Sequence, residues 1–224
     1  RPDVGERLAQ WLSAVDAVRL NGALHAIEAC PDHVPQPGEG VDRCAMQDLG
    51  RRLREELLAL AAARPTPARV PRGRGGRSLM DAVDPGAEVE FATHAQRYFA
   101  LQKQMEARIA VVRVQLRHWL ARGSPALRQL AALDGVLEQM LGAREQRLWA
   151  LLPACLEGRL RHWRERHAQQ LQASGQADAP QRWREPGGWL QSFEQDFRRL
   201  WQAEVELRLQ PITGLLEAAS NENR

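Results

Sequence analysis

Few side chains in this sequence are suited to chemistry: six histidines, three cysteines and one lysine, Lys103, among 31 basic residues. A phosphate-binding P-loop needs a lysine directly after glycine, and Lys103 follows Gln102, which excludes that class of nucleotide hydrolase. GRGG at 73–76 has no strand before it, and Ser78 stands where a dinucleotide fingerprint needs its third glycine. Di-iron sites in helical bundles use Glu-x-x-His, whose ligands share one helix face, yet no histidine here has a glutamate three residues before it. His162 and His167 are five apart, about 140° around a helix, so they cannot grip one metal together. His167 instead continues an apolar stripe, as a hydrogen-bonded, half-buried histidine would.

Cys30, Asp32, His33 and Cys44 form the one cluster able to offer several metal ligands, but their spacing matches no structural zinc pattern. There is no G-x-S-x-G, and Ser124 reads as a helix cap rather than a nucleophile. The residues therefore point to no enzyme, no metal and no cofactor. Three widely spaced cysteines without a C-x-x-C pair read as reduced thiols in a cytoplasmic protein. Of the seven tryptophans, Trp11, Trp119, Trp163 and Trp201 fall on apolar stripes and suit a core. Only RWR at 182–184 interleaves an aromatic with bases as base stacking requires.

The elements that must position these residues are helical. With 44% apolar and 26% charged residues, the 224-residue chain is too apolar for wholesale disorder, and no apolar run reaches the roughly 20 residues of a bilayer span. β-Branched residues are sparse and alternation is absent, so the fold class expected is all-α: about six helices built on a long antiparallel αα-hairpin. A first helix from Asp3 to Ala29, capped by Asp3 with Glu6 and interrupted at Asn21-Gly22, carries Leu8, Trp11, Leu12, Val15 and Val18. A second runs from Ala45 to Ala63. The third, Glu88 to Arg122, is the clearest. Tyr98, Leu101, Met105, Ile109, Val112, Leu116 and Trp119 fall within about 80° of its circumference, with Lys103, Arg113 and Arg117 outside that arc.

Gly123-Ser124-Pro125 supplies a stop, a cap and a first-turn proline. The fourth helix then carries Leu127, Leu130, Leu133, Leu137, Met140, Leu141, Leu148 and Leu151 as its stripe. Pro153 kinks or restarts the chain, a fifth helix runs to Ala173, and a sixth starts near Trp189 and is bent or broken at Pro211. Three segments are expected: a helical pair over 1–63, a flexible Arg/Pro/Gly linker over 64–86 and a helical bundle with the hairpin over 87–220.

A seam as narrow as that of the third helix is what a coiled-coil-like pairing needs. The first functional expectation is thus a non-enzymatic scaffold or interaction protein, bound to a protein partner or a second copy through Tyr98, Leu101, Met105, Ile109, Val112, Leu116 and Trp119. The second is sequence-independent nucleic-acid binding, with Arg69, Arg72, Arg74 and Arg77 of the linker and Arg159, Arg161, Arg164 and Arg166 of the fifth helix neutralising phosphates. A net charge of +3 is too even for a dedicated DNA-binding domain.

GERLAQWLSAVDAVRLNGAL (5–24), RYFALQKQMEARI (97–109), SPALRQLAALDGVLEQMLGARE (124–145) and GGWLQSFEQDFRRLWQAEVELRLQPITGLLEA (187–218) resemble an uncharacterised family of proteobacterial proteins, a domain of unknown function. That family has no assigned chemistry, so no catalytic residue is carried over. Its members are often encoded beside proteins of the MotA/TolQ and OmpA types. The resemblance thereby implies a cytoplasmic accessory subunit of an envelope-associated assembly, reaching a membrane only through a partner.

Overall fold

Helical periodicity without β-branched runs builds seven α-helices, one 3-10 turn and no strand among the described residues of the computed structural model, which are 14–28, 42–62 and 89–221. The helices are α1 (Ala14–Glu28), α2 (Arg43–Leu60), α3 (Phe91–Leu120), α4 (Pro125–Trp149), α5 (Leu152–Ser174), α6 (Trp189–Arg208) and α7 (Gln210–Asn221). The Asp3–Glu6 cap, Trp11, the trio Cys30, Asp32 and His33, and the linker with Arg69, Arg72, Arg74 and Arg77 lie outside the described residues. The all-α class stands.

The punctuation acts as its chemistry requires. Ser124 Oγ accepts from the Leu127 amide at 3.3 Å, and Pro125 opens α4. Pro153 sits in the first turn of α5, so it restarts the helix, and α7 begins at Gln210-Pro211. Gly175 closes α5 at φ 66°, its amide donating to the Leu171 carbonyl at 2.9 Å.

Two compact units arise, and α2 and α3 each contribute to both. One holds 54–107 and 150–208. Its core is the apolar face of α6, where Leu190, Phe193, Phe197, Trp201 and Val205 recur at helical spacing and are all buried. α5 packs along α6, burying Leu156 and Leu160. Tyr98 meets Phe197 and Trp201 edge-on, at 5.2 and 5.9 Å between ring centroids. The last turn of α2 leaves carbonyls without helical partners. Trp201 Nε1 donates to Leu57 at 2.8 Å, and Arg97 donates to Ala61 at 3.1 Å.

The other unit holds 1–53, 108–149 and 209–224. There α4 packs against α1 and α7, and Val112, Leu116, Leu120, Leu127, Ile212, Leu215 and Leu216 are buried. Arg144 reaches Asp16 at 2.5 Å, tying α4 to α1. A methyl group added at Gly50 would lie 2.5 Å from Leu216 Cδ1, so α2 and α7 approach closely there.

Three expectations are corrected. Asn21-Gly22 does not interrupt α1, which is continuous through both. Val18, placed on the buried stripe, is 73% exposed. On α4 the buried residues are Leu127, Ala131 and Asp134, a face turned roughly 80° from the leucine row. Leu130, Leu133, Leu137, Met140 and Leu141 are half-buried, while Leu148 and Leu151 are exposed. That buried face carries Asp134, which pairs with Arg113 and Arg117 of α3.

Candidate functional site

Glu204 falls one turn beyond Trp201 on the apolar face of α6 and is 1% exposed. Around its carboxylate the fold gathers Tyr98 Oη at 2.7 Å, Gln102 Nε2 at 2.9 and 3.1 Å, and an Arg208 guanidinium nitrogen at 2.7 Å. Burial, reinforced by the Glu204 charge, pushes the Tyr98 phenol above its ordinary range, so it stays a donor. Through these bonds the carboxylate ties α6 to α3.

A second node joins α3 to α4. Arg113 grips Asp134 through two nitrogens, at 2.9 Å from Nε and 2.7 Å from Nη2. Arg117 donates to Asp134 at 2.9 Å and to Glu138 at 2.6 Å. Arg113, read as lying outside the apolar seam, is 8% exposed and fully engaged. Arg97 forms a third clamp, on Glu194 at 2.9 Å with its guanidinium 4.5 Å above the Phe197 ring.

The most open grouping lies between α5 and the start of α6. Asp178, in the loop after α5, accepts from Trp183 Nε1 at 2.8 Å and pairs with His167 Nε2 at 2.9 Å. Partial burial opposes its ionisation, yet the bonds from Trp183 and His167 prevail and hold its carboxyl below the usual aspartate value. The Trp183 ring packs against Trp189 at a tilt of 58°, 5.4 Å between centroids, and both are buried. A side chain at Gly188 would collide with the carbonyls of Trp183 and Arg182, so only glycine lets the loop close onto α6. His167 is thus the hydrogen-bonded, half-buried residue its stripe implied.

The seam residues are placed as follows. Tyr98, Leu101, Met105, Val112 and Leu116 are buried within the chain, and Ile109 and Trp119 are half-buried. The chain's own helices cover most of that edge, so it offers little to a partner.

The arginines of α5 are partly spent. Arg159 pairs with Asp196 at 2.6 Å, Arg161 lies 3.6 Å from Glu157, and Arg164 reaches the Val89 carbonyl at 3.4 Å. Arg159 and Arg166 flank the Trp163 ring at 5.7 and 5.5 Å, and Trp163 Nε1 donates to Asp196 at 2.7 Å. RWR does not offer an exposed ring, because Trp183 is only 9% exposed. Cys44 and Cys155 are exposed free thiols. Among the described residues, no three His, Cys, Asp or Glu side chains converge as metal ligands, and no helix is long and apolar enough to cross a membrane.

Sequence reasoning missed Glu204, Asp134 and the His167–Asp178 pair. Glu204 had a signal, an acid on an apolar stripe. The other two depend on partners distant in the chain.

No curated protein and no solved structure matches this chain. The sequence profile of a family described as "Protein of unknown function (DUF3348)" matches residues 1–221, and the chain belongs to that family.

Proposed function

We propose that this chain is a non-enzymatic helical interaction protein that docks a protein partner or a second copy through the α3–α4 unit. One observation carries the reading. The leucine row of α4 is only half-covered even though α4 is already packed on α1 and α7, and Leu148 is 45% exposed. On α3 of the same unit, Val111 and Val114 are 67% and 56% exposed. Apolar surface of this kind is stabilised by a partner's apolar surface. The cytoplasmic accessory role beside an envelope-associated assembly that the resemblance implies is part of this proposal.

The test compares the full chain with a Val114→Glu/Leu148→Glu variant by light scattering and by capture of host proteins. The expected result is a defined oligomer, or one reproducible partner, lost in the variant while its thermal melt is unchanged. A monomer that retains nothing beyond what the variant retains overturns the reading.

A second reading, polyanion binding along α5, is favoured by Arg159 and Arg166 flanking Trp163 and by Arg161 at 66% side-chain exposure. Binding to single-stranded DNA that weakens steeply with salt and is lost in Arg161→Gln/Arg166→Gln supports it. No binding at low salt removes it.

A further inference from the structure

Six exposed residues make a row along the solvent face of α5: Ala154, Gly158, Arg161, Glu165, Ala168 and Gln172, within an arc of about 80°. Their steps along the chain are 4, 3, 4, 3 and 4 residues, the period of a helix–helix seam, and they read the same from either end. Laid antiparallel on a copy of itself, the row falls into register with Arg161 against Glu165 and Glu165 against Arg161. Gly158 then faces Ala168, and Ala154 faces Gln172. A two-fold contact demands this reciprocity, residue i meeting j while j meets i. A parallel copy would instead set Arg161 against Arg161.

Charge and shape both suit that pairing. Inside its own chain Arg161 stands 3.6 Å from Glu157, with side chains 66% and 51% exposed, and exposed pairs of this kind hold weakly. Glu165 forms no ion pair among the described residues. Gly158 and Ala168 flank the charged centre and let two helix backbones approach closely. Beside the row, Phe91 of α3 with Leu160 and Ala168 of α5 lines a groove of about 360 Å³ that Arg161 and Glu165 border. A second helix on this face shields that apolar surface from water.

We propose that α5 is a self-association surface, on which a second copy of this chain docks antiparallel through two reciprocal Arg161–Glu165 ion pairs. Its residues are not those of the α3–α4 surface. Two exposed pairs over small residues make a weak, salt-sensitive dimer, with a Kd of about 100 µM.

The experiment is sedimentation equilibrium of the full chain at low salt, for the parent, for Arg161→Glu, for Glu165→Arg and for an equimolar mixture of those two variants. Each variant alone sets like charges face to face and should associate about tenfold more weakly or worse, with its thermal melt unchanged. In the mixture every facing pair is again opposite, so dimers should return to within about threefold of the parent's affinity. A parent that stays monomeric at about 1 mM overturns the proposal. So does a single variant that associates like the parent, or a mixture that associates no better than its components. Association lost in Val114→Glu/Leu148→Glu and untouched by the α5 variants overturns it too, and leaves the α3–α4 reading standing.

Discussion

The Glu204 and Asp134 nodes use the same chemistry, a carboxylate held by arginine, in different surroundings. Glu204 is sealed from water and needs a phenol, an amide and a guanidinium to satisfy it. Asp134 is 8% exposed, but its partner Arg117 keeps 19% of its side chain exposed and shares its charge with Glu138, itself 32% exposed. Water can replace a lost partner at the second node and cannot at the first. Burial, rather than bond count, decides what each node is worth.

Breaking the sealed node should have the largest effect. Glu204→Leu removes the acceptor that Tyr98, Gln102 and Arg208 share, and is expected to cost about 3–5 kcal/mol in urea unfolding. Adding Arg208→Met should recover part of that loss, because it removes the cation that paired with the lost carboxylate. A single variant costing under about 1 kcal/mol would mean that water reaches Glu204. Asp134→Ala should cost less, about 1–3 kcal/mol, since Arg117 keeps Glu138.

The loop clamp at Asp178 is weaker again, and its signature is pH. The folded-state pKa of Asp178 lies below its ordinary 3.8, so its contribution is fully present above that value and fades as pH falls through the lowered one. The urea midpoint of Asp178→Asn should therefore trail the parent at pH 6 and draw closer to it near pH 3. A gap unchanged between the two pH values would exclude the ionic contribution. The smallest effect is expected at the exposed Arg51–Asp48 pair, 2.7 Å apart with side chains 60% and 50% exposed. Asp48→Asn should leave the urea midpoint within error, as solvent-exposed pairs usually do.

What was legible in the sequence follows the same division. Helix ends written by Ser124-Pro125, Pro153 and Pro211 can be read locally, because caps and prolines act within one turn. Burial of the Tyr98–Leu116 seam was also legible, but not its cover, since periodicity identifies an inward face without naming its neighbour. The α4 leucine row misled for a related reason. Apolar count favoured the leucines, whereas the buried face of α4 carries Asp134 against Arg113, a pairing across 21 residues that no local pattern encodes. His167 and Asp178 meet only because the intervening loop folds back.

That fold-back ends at Gly188, where the chain tolerates no side chain. Even Gly188→Ala would drive the 3-10 turn off α6, pulling Trp183 from Trp189 and Asp178 from His167 together. A single hydrogen atom in place of a methyl is therefore what lets this corner of the protein assemble as one cooperative piece, and a mutation there would report on every contact in it at once.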